Sequence, residues 1–268
     1  MVKKLFKHEL FALGRVLFLV QGILLVISAF ARMLQFFESD HIAYDIIFGF
    51  TVFFLVIANV VNLVVPLIMG VVRYYKNLFT AEGYLSFTLP ITPAQHLLVK
   101  LFATLVFQIF AVCVSILSVV IATAGEVLRE ICLAAQYLLN QLNAVAEGHV
   151  VLFAMELLVL CVVVFLSELL LYYGCISIGQ LFRKNRVLAA VGVYFAYYVI
   201  LQIISTVFTV VIGIVGSNMD AAEYIPTVQE VVAAIHVGLC GLIVWTLIVS
   251  TVYFLISHTI MRKKLNLE

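Results

Sequence analysis

Between residues 46 and 72 the chain carries no Asp, Glu, Lys or Arg. About 20 apolar residues are enough to cross the hydrocarbon core of a bilayer, so this run can span one. Five further stretches have the same character: residues 11–34, interrupted by Arg15 and Arg32, and residues 101–125, 150–182, 187–219 and 231–261. Lipid offers no hydrogen bonds, so a spanning backbone must satisfy itself, and each stretch is expected to be helical. The expected fold class is an all-α membrane protein with six transmembrane helices. The last three stretches exceed about 30 residues, roughly 45 Å of helix, and must tilt, bend or project beyond the lipid. The composition agrees: 65% of residues are hydrophobic and 11% charged, where a soluble domain carries about a quarter charged residues. A net charge of +1 gives no reason to expect a nucleic-acid partner.

The placement of Lys and Arg in short loops sets orientation. With the N-terminus inside, Lys3, Lys4, Lys7, Arg15, Arg73, Lys76, Lys100, Arg183, Lys184, Arg186, Arg262, Lys263 and Lys264 all fall on the cytoplasmic side, and of the 15 basic residues only Arg32 and Arg129 fall outside. Both termini are therefore expected in the cytoplasm. Acids gather at the other face: Glu38, Asp40, Asp45, Glu126, Glu130, Glu147, Asp220, Glu223 and Glu230. The basic start resembles a secretory leader, but "SAFARMLQFF" offers no small-residue cleavage site, so the first stretch is expected to remain as a helix.

Two segments outside the apolar runs have helical periodicity. Residues 1–14 set Leu5, Leu10 and Leu13 among lysines, as in a helix lying in the inner interface. Residues 126–147 place Leu128, Ile131, Ala135, Leu138, Leu142 and Val145 on one side and Arg129, Glu130, Gln136, Asn140 and Asn143 on the other, which specifies an outer amphipathic helix. No internal repeat or soluble domain is evident, and residues 1–268 are expected to form a single membrane domain. Cys113, Cys132, Cys161, Cys175 and Cys240 form no CxxC pair and are expected to act as small apolar residues.

The inner loop of residues 73–100 contains "EGYLSFTLPITPAQHLLVK". Thr80 is placed to cap a short helix whose first turn holds Glu82. Tyr84, Leu85 and Leu89 give that helix an apolar side, and Pro90 ends it. Thr92 as N-cap, Pro93 at N1 and Gln95 at N3 then start the third span with a capping box. A short helix between two stops, held close to the membrane, suits docking of a cytoplasmic protein better than plain connection.

This loop resembles the first cytoplasmic loop of ABC-2-type permeases, the membrane subunits of bacterial ABC exporters. Glu82, Gly83, Tyr84, Leu85, Leu89, Pro90, Thr92 and Lys100 match the family's acidic-Gly-aromatic-Leu, Leu-Pro, turn and Lys pattern. The six-span plan, the amphipathic start and the tail "MRKKLNLE" are similar as well. The resemblance implies a plasma-membrane location and a coupling helix bearing Thr80, Glu82, Gly83, Tyr84, Leu85, Leu89 and Pro90, seated on a separate ABC ATPase subunit. It also implies a second permease copy or paralogue, with ATP and Mg carried by the ATPase. Family members often have a re-entrant hairpin between the fifth and sixth helices. Here residues 217–234 are short and contain Pro226, a departure from the pattern. The chain has no GxxxxGK[ST] phosphate loop, so no ATPase site of its own is expected and it is not expected to be an enzyme.

Polar residues inside the spans are candidates for a substrate path: Asn59, Asn62, Glu156 and Glu168. Asn59 and Asn62 share a helix face, and interhelical hydrogen bonding is their expected role. Glu156 and Glu168 are 12 residues apart, about 120° around a helix, so they look in different directions. Each has the alternative of pairing with a neighbouring helix. Gly238 with Gly241, and Gly213 with Gly216, are expected to allow close packing, and Tyr194, Tyr197 and Tyr198 to form a belt. The histidines are scattered, with no metal-binding spacing, and no Ser–His pair stands out near "GCISIG". Two other functions compete with export: an intramembrane enzyme using Glu156 or Glu168, and a non-transporting scaffold. The topology predicts that K184C in intact cells resists a membrane-impermeant thiol reagent and reacts only once the membrane is opened.

Overall fold

The computed structural model describes residues 2–37, 41–88, 90–146, 149–182, 184–218 and 227–263. Among them are eight helices and no strand: α1 (Val2–Gln35), α2 (Ile42–Phe79), α3 (Ala81–Phe87), α4 (Pro93–Thr123), α5 (Glu126–Ala146), α6 (Val150–Gly179), α7 (Arg186–Asn218) and α8 (Val228–Lys263). Six of these, α1, α2, α4, α6, α7 and α8, are long and apolar enough to cross a membrane. In the most apolar stretch of each, no more than 28% of residues are buried within the chain. The remainder requires an apolar solvent, so the chain is a multi-pass membrane protein.

The helices outrun the apolar stretches that announce them. α1 is continuous from Val2 to Gln35, so residues 2–14 run without a break into the apolar stretch that follows. α2 continues past residue 72 through Arg73 and Lys76 to Phe79. Hydropathy marks where lipid ends, whereas a helix continues until something stops it. α5 covers the expected amphipathic stretch; residue 147 lies outside the described residues. Glu38, Asp40, Arg183, Asp220, Glu223, Pro226 and Lys264 also lie outside them.

The chain divides into two compact units, Met1–Asn140 and Gln141–Glu268. In the first, α1 and α4 run parallel with α2 antiparallel to both. Leu13, Leu17, Ala103 and Phe107 form the core between them, with Val65 and Met69 of α2 packed against it. Phe18 meets the edges of Phe107 and Phe110 at 5.7 Å. α2 and α4 approach closely at Gly70, where any Cβ would overlap Thr104. Further along, Asn62 Nδ2 donates to Ala111 O at 2.8 Å and to Ser115 Oγ at 2.9 Å, and Ser118 Oγ donates to Asn59 Oδ1 at 3.0 Å. Pro66 removes one N–H from the α2 ladder, and Gln108 of α4 donates to the Leu63 carbonyl on that turn. α4 ends in left-handed backbone at Ala124 and Gly125, whose N–H groups return to Val120 O.

In the second unit α6 and α8 run parallel, with Gly174 facing Tyr253. α7 turns back onto α6 where Gly179 is pressed against Ala190 and Arg186 O. Gly238 and Gly241 face open space, so they do not serve close packing within the chain; the side-chain surroundings of Gly213 and Gly216 lie outside the described residues. The contrast is testable. Gly70→Leu should destabilise the protein by about 2–3 kcal/mol through overpacking, whereas Gly238→Leu should stay within about 0.5 kcal/mol. Thermal unfolding in detergent measures both.

Candidate functional site

Three charged side chains from three helices converge at one end of the first unit. Glu9 of α1 is buried. Its Oε1 accepts from Lys100 Nζ of α4 at 2.5 Å, and its Oε2 accepts from Arg73 of α2 at 2.9 Å. Asn77 Nδ2 adds a longer donor at 3.3 Å. The side chains of Glu9 and Lys100 are 6% and 5% exposed, and that of Arg73 is 25% exposed. Two cations and an amide around one carboxylate leave little of it unsatisfied. A buried ion group needs such saturation to offset the loss of water. Arg73 and Lys100 belong to the expected inner loop; Glu9 was not anticipated. The only sign of it in the sequence is one acid among Lys3, Lys4 and Lys7.

α3 sits directly on this end. It follows α2 after the single residue Thr80 and packs against α2. His96, buried on α4, hydrogen-bonds the backbone of Ser86, and Glu82 lies within electrostatic range of Lys100. Gly83 is buried, while Tyr84 and Leu85 are 69% and 70% exposed. The short helix therefore presents an aromatic and an aliphatic side chain outward. Pro90 is exposed, and Leu89 lies outside the described residues.

The two expected caps differ in outcome. Thr92 and Gln95 form the full capping box, with Pro93 in the first turn. Thr80 occupies the N-cap position of α3, but its hydroxyl donates back to Lys76 O. α2 reaches Phe79, so its last carbonyls compete for that hydroxyl and win it.

The intramembrane acids lie in the second unit and do not meet. His236 Nδ1 of α8 lies 2.9 Å from both oxygens of Glu156, and Cys240 Sγ lies 3.7 Å from Oε1. Phe153 stacks on the His236 ring at 4.0 Å, and the ring of His149 is 5.4 Å away. A His–carboxylate pair thus exists despite the scattered sequence positions. Among the described residues, however, no three His, Cys, Asp or Glu side chains are placed to hold a metal ion. Glu168 faces α7 instead, accepting from Tyr198 at 3.5 Å. Tyr172, Tyr194, Tyr197, Tyr198 and Tyr253 form a continuous aromatic group around it. Cys175 is buried; the other four cysteines are exposed.

No family model, curated protein or solved structure matches this chain.

The buried cluster predicts an asymmetric response to mutation. Glu9→Ala leaves Lys100 buried without its counter-charge and should cost about 3–5 kcal/mol. The double change Glu9→Leu with Lys100→Met removes both charges and should recover much of that loss. Thermal unfolding of the two variants beside the wild type decides the matter.

Proposed function

We propose that this chain is the transmembrane permease subunit of an ABC-type exporter, working in the bacterial plasma membrane as one of a pair and coupling ATP hydrolysis on a separate ATPase subunit to substrate efflux. The observation that carries the reading is α3. It is a seven-residue helix with exposed Tyr84 and Leu85, packed against α2, which carries Arg73 of the ion cluster. Exposed aromatic and aliphatic side chains suit a contact whose centre excludes water. The resemblance of residues 82–100 to the coupling loop of ABC-2-type permeases names the partner as an ATPase.

In this reading Glu82, Gly83, Tyr84 and Leu85 form the docking face, with Thr80 and Pro90 marking its ends. ATP and Mg stay on the partner. Closure of the ATPase pair displaces α3, and the displacement passes into the membrane through Lys100, Arg73 and Glu9. Those residues belong to α4, α2 and α1, so the three helices respond together instead of bending one by one. Asn59 and Asn62 keep α2 registered on α4 during that movement, which fits a transmitting role better than substrate contact. Glu156 and Glu168 remain candidates for the path itself.

The affinity-tagged chain, isolated gently from its native membranes, should bring with it a nucleotide-binding polypeptide of about 25–35 kDa, an ordinary domain size. Glu82→Ala combined with Tyr84→Ala should abolish that association or uncouple ATP turnover from substrate. Isolation of the wild type without any nucleotide-binding chain, or unchanged coupling in the double variant, overturns the proposal.

A further inference from the structure

A groove of about 820 Å³ runs along the first unit between α1 and α4. Its two ends differ in chemistry. Lys7 and Arg15 line it on α1, both exposed, and neither has an ion-pair partner among the described residues. Lys7 is held over the ring of Phe11 at 5.7 Å. The deeper walls are apolar: Phe18 from α1, with Phe107, Phe110 and Cys113 from α4. α1 and α4 run parallel from the end that holds Lys100, so Lys7 and Arg15 lie toward that end, among Phe6, Leu10 and Phe11, and the groove beyond Arg15 is lined without charge. Lys7 and Arg15 are eight residues apart, about 12 Å along the helix, which brackets a headgroup and its glycerol. Gly14 lies between them, and the rings of Phe18 and Phe107 close over it as part of the groove wall.

We propose that this groove is a binding site for one anionic phospholipid, with the phosphate between Lys7 and Arg15 and an acyl chain along Phe18, Phe107, Phe110 and Cys113. Three observations select this occupant. The charge at the mouth is uniformly positive, because the nearby acid, Glu9, is buried and already saturated by Arg73 and Lys100. A zwitterionic headgroup would bring its own cation against two more. A helix from a second copy would have to supply an acid at this level. In this unit the acids at that end are Glu9, which is committed, and Glu82, which lies on α3. Finally, the gradient from cations to aromatic and aliphatic wall matches an amphiphile's own. The attraction of basic side chains for anionic lipid supplies selectivity, and burial of the chain supplies affinity.

Native mass spectrometry of the detergent-purified protein tests the site, with phosphatidylglycerol and phosphatidylcholine offered in equal amounts. The wild type should retain one phosphatidylglycerol with a preference of about tenfold or more over phosphatidylcholine. Excess inorganic phosphate should not displace it, since the chain contributes most of the affinity. Lys7→Gln with Arg15→Gln, both on exposed positions, should abolish the preference. Cys113→Trp, which fills the deep part of the groove and leaves the charges alone, should abolish retention. Lys3→Gln with Lys4→Gln should retain the lipid as the wild type does. Equal retention of both lipids by the wild type overturns the proposal, as does a preference that survives Lys7→Gln with Arg15→Gln. Displacement by phosphate alone reduces the site to a simple anion pocket and also overturns it. A dimer whose formation expels the lipid assigns the groove to a second copy instead.

Discussion

Glu9 is the constraint around which the first unit is arranged. A carboxylate carried into a poorly hydrated interior has to be met by donors, and here they come from two other helices. Removing any one partner leaves charge stranded, so the cluster permits little variation in how α1, α2 and α4 are registered. Everything else at that end inherits the registration. α3 begins one residue after α2 and packs against it, so its position follows from that of α2. An apolar seam such as Leu13, Leu17, Ala103 and Phe107 tolerates sliding between similar residues. A three-way ion cluster does not.

The two units solve the same packing problem by different means. Each sets its first and last spanning helices parallel, with the middle one reversed. The first unit fixes the arrangement with ions at one end and amides along α2 and α4. The second has a His–carboxylate pair, a tyrosine cluster and the close approach at Gly179, and the described part of α7 is largely apolar and exposed. In lipid, apolar side chains gain little by meeting each other, so polar contacts and close backbone approach decide which helices associate. The first unit carries the larger buried ion cluster, and the second the closest backbone approach, at Gly179.

What could be anticipated from the residues divides along physical lines. The six spans were legible because each is a local property of a continuous apolar run. The Thr92–Gln95 capping box was legible because both partners lie within four residues, and α5 because its periodicity is self-contained. The pairing of Asn59 and Asn62 with a neighbouring helix was expected, though the sequence could not say that α4 supplies Ala111, Ser115 and Ser118. Interactions across long separations were not legible. Glu9 meets residues 64 and 91 positions away, and Glu156 meets one 80 positions away. Nothing near either acid announces its partner. Thr80 shows a subtler limit: the residue type and position were right for a cap, but the extra turns of α2 offered its hydroxyl a nearer acceptor. Gly238 and Gly241 show another. Small residues permit close approach, and only the surrounding fold decides whether anything approaches.

The parallel pairing of α1 with α4 bears on how the polypeptide is made. Helices enter a membrane in order as they emerge from synthesis, so α1 is in place long before its main neighbour exists. Until then Glu9 has Arg73 for company at best, and first not even that. The nascent chain must therefore hold an incompletely neutralised acid near the bilayer surface while nearly a hundred residues are added. The basic residues around it, Lys3, Lys4 and Lys7, are well placed to shelter that acid in the interval, and the arrival of Lys100 closes the lock.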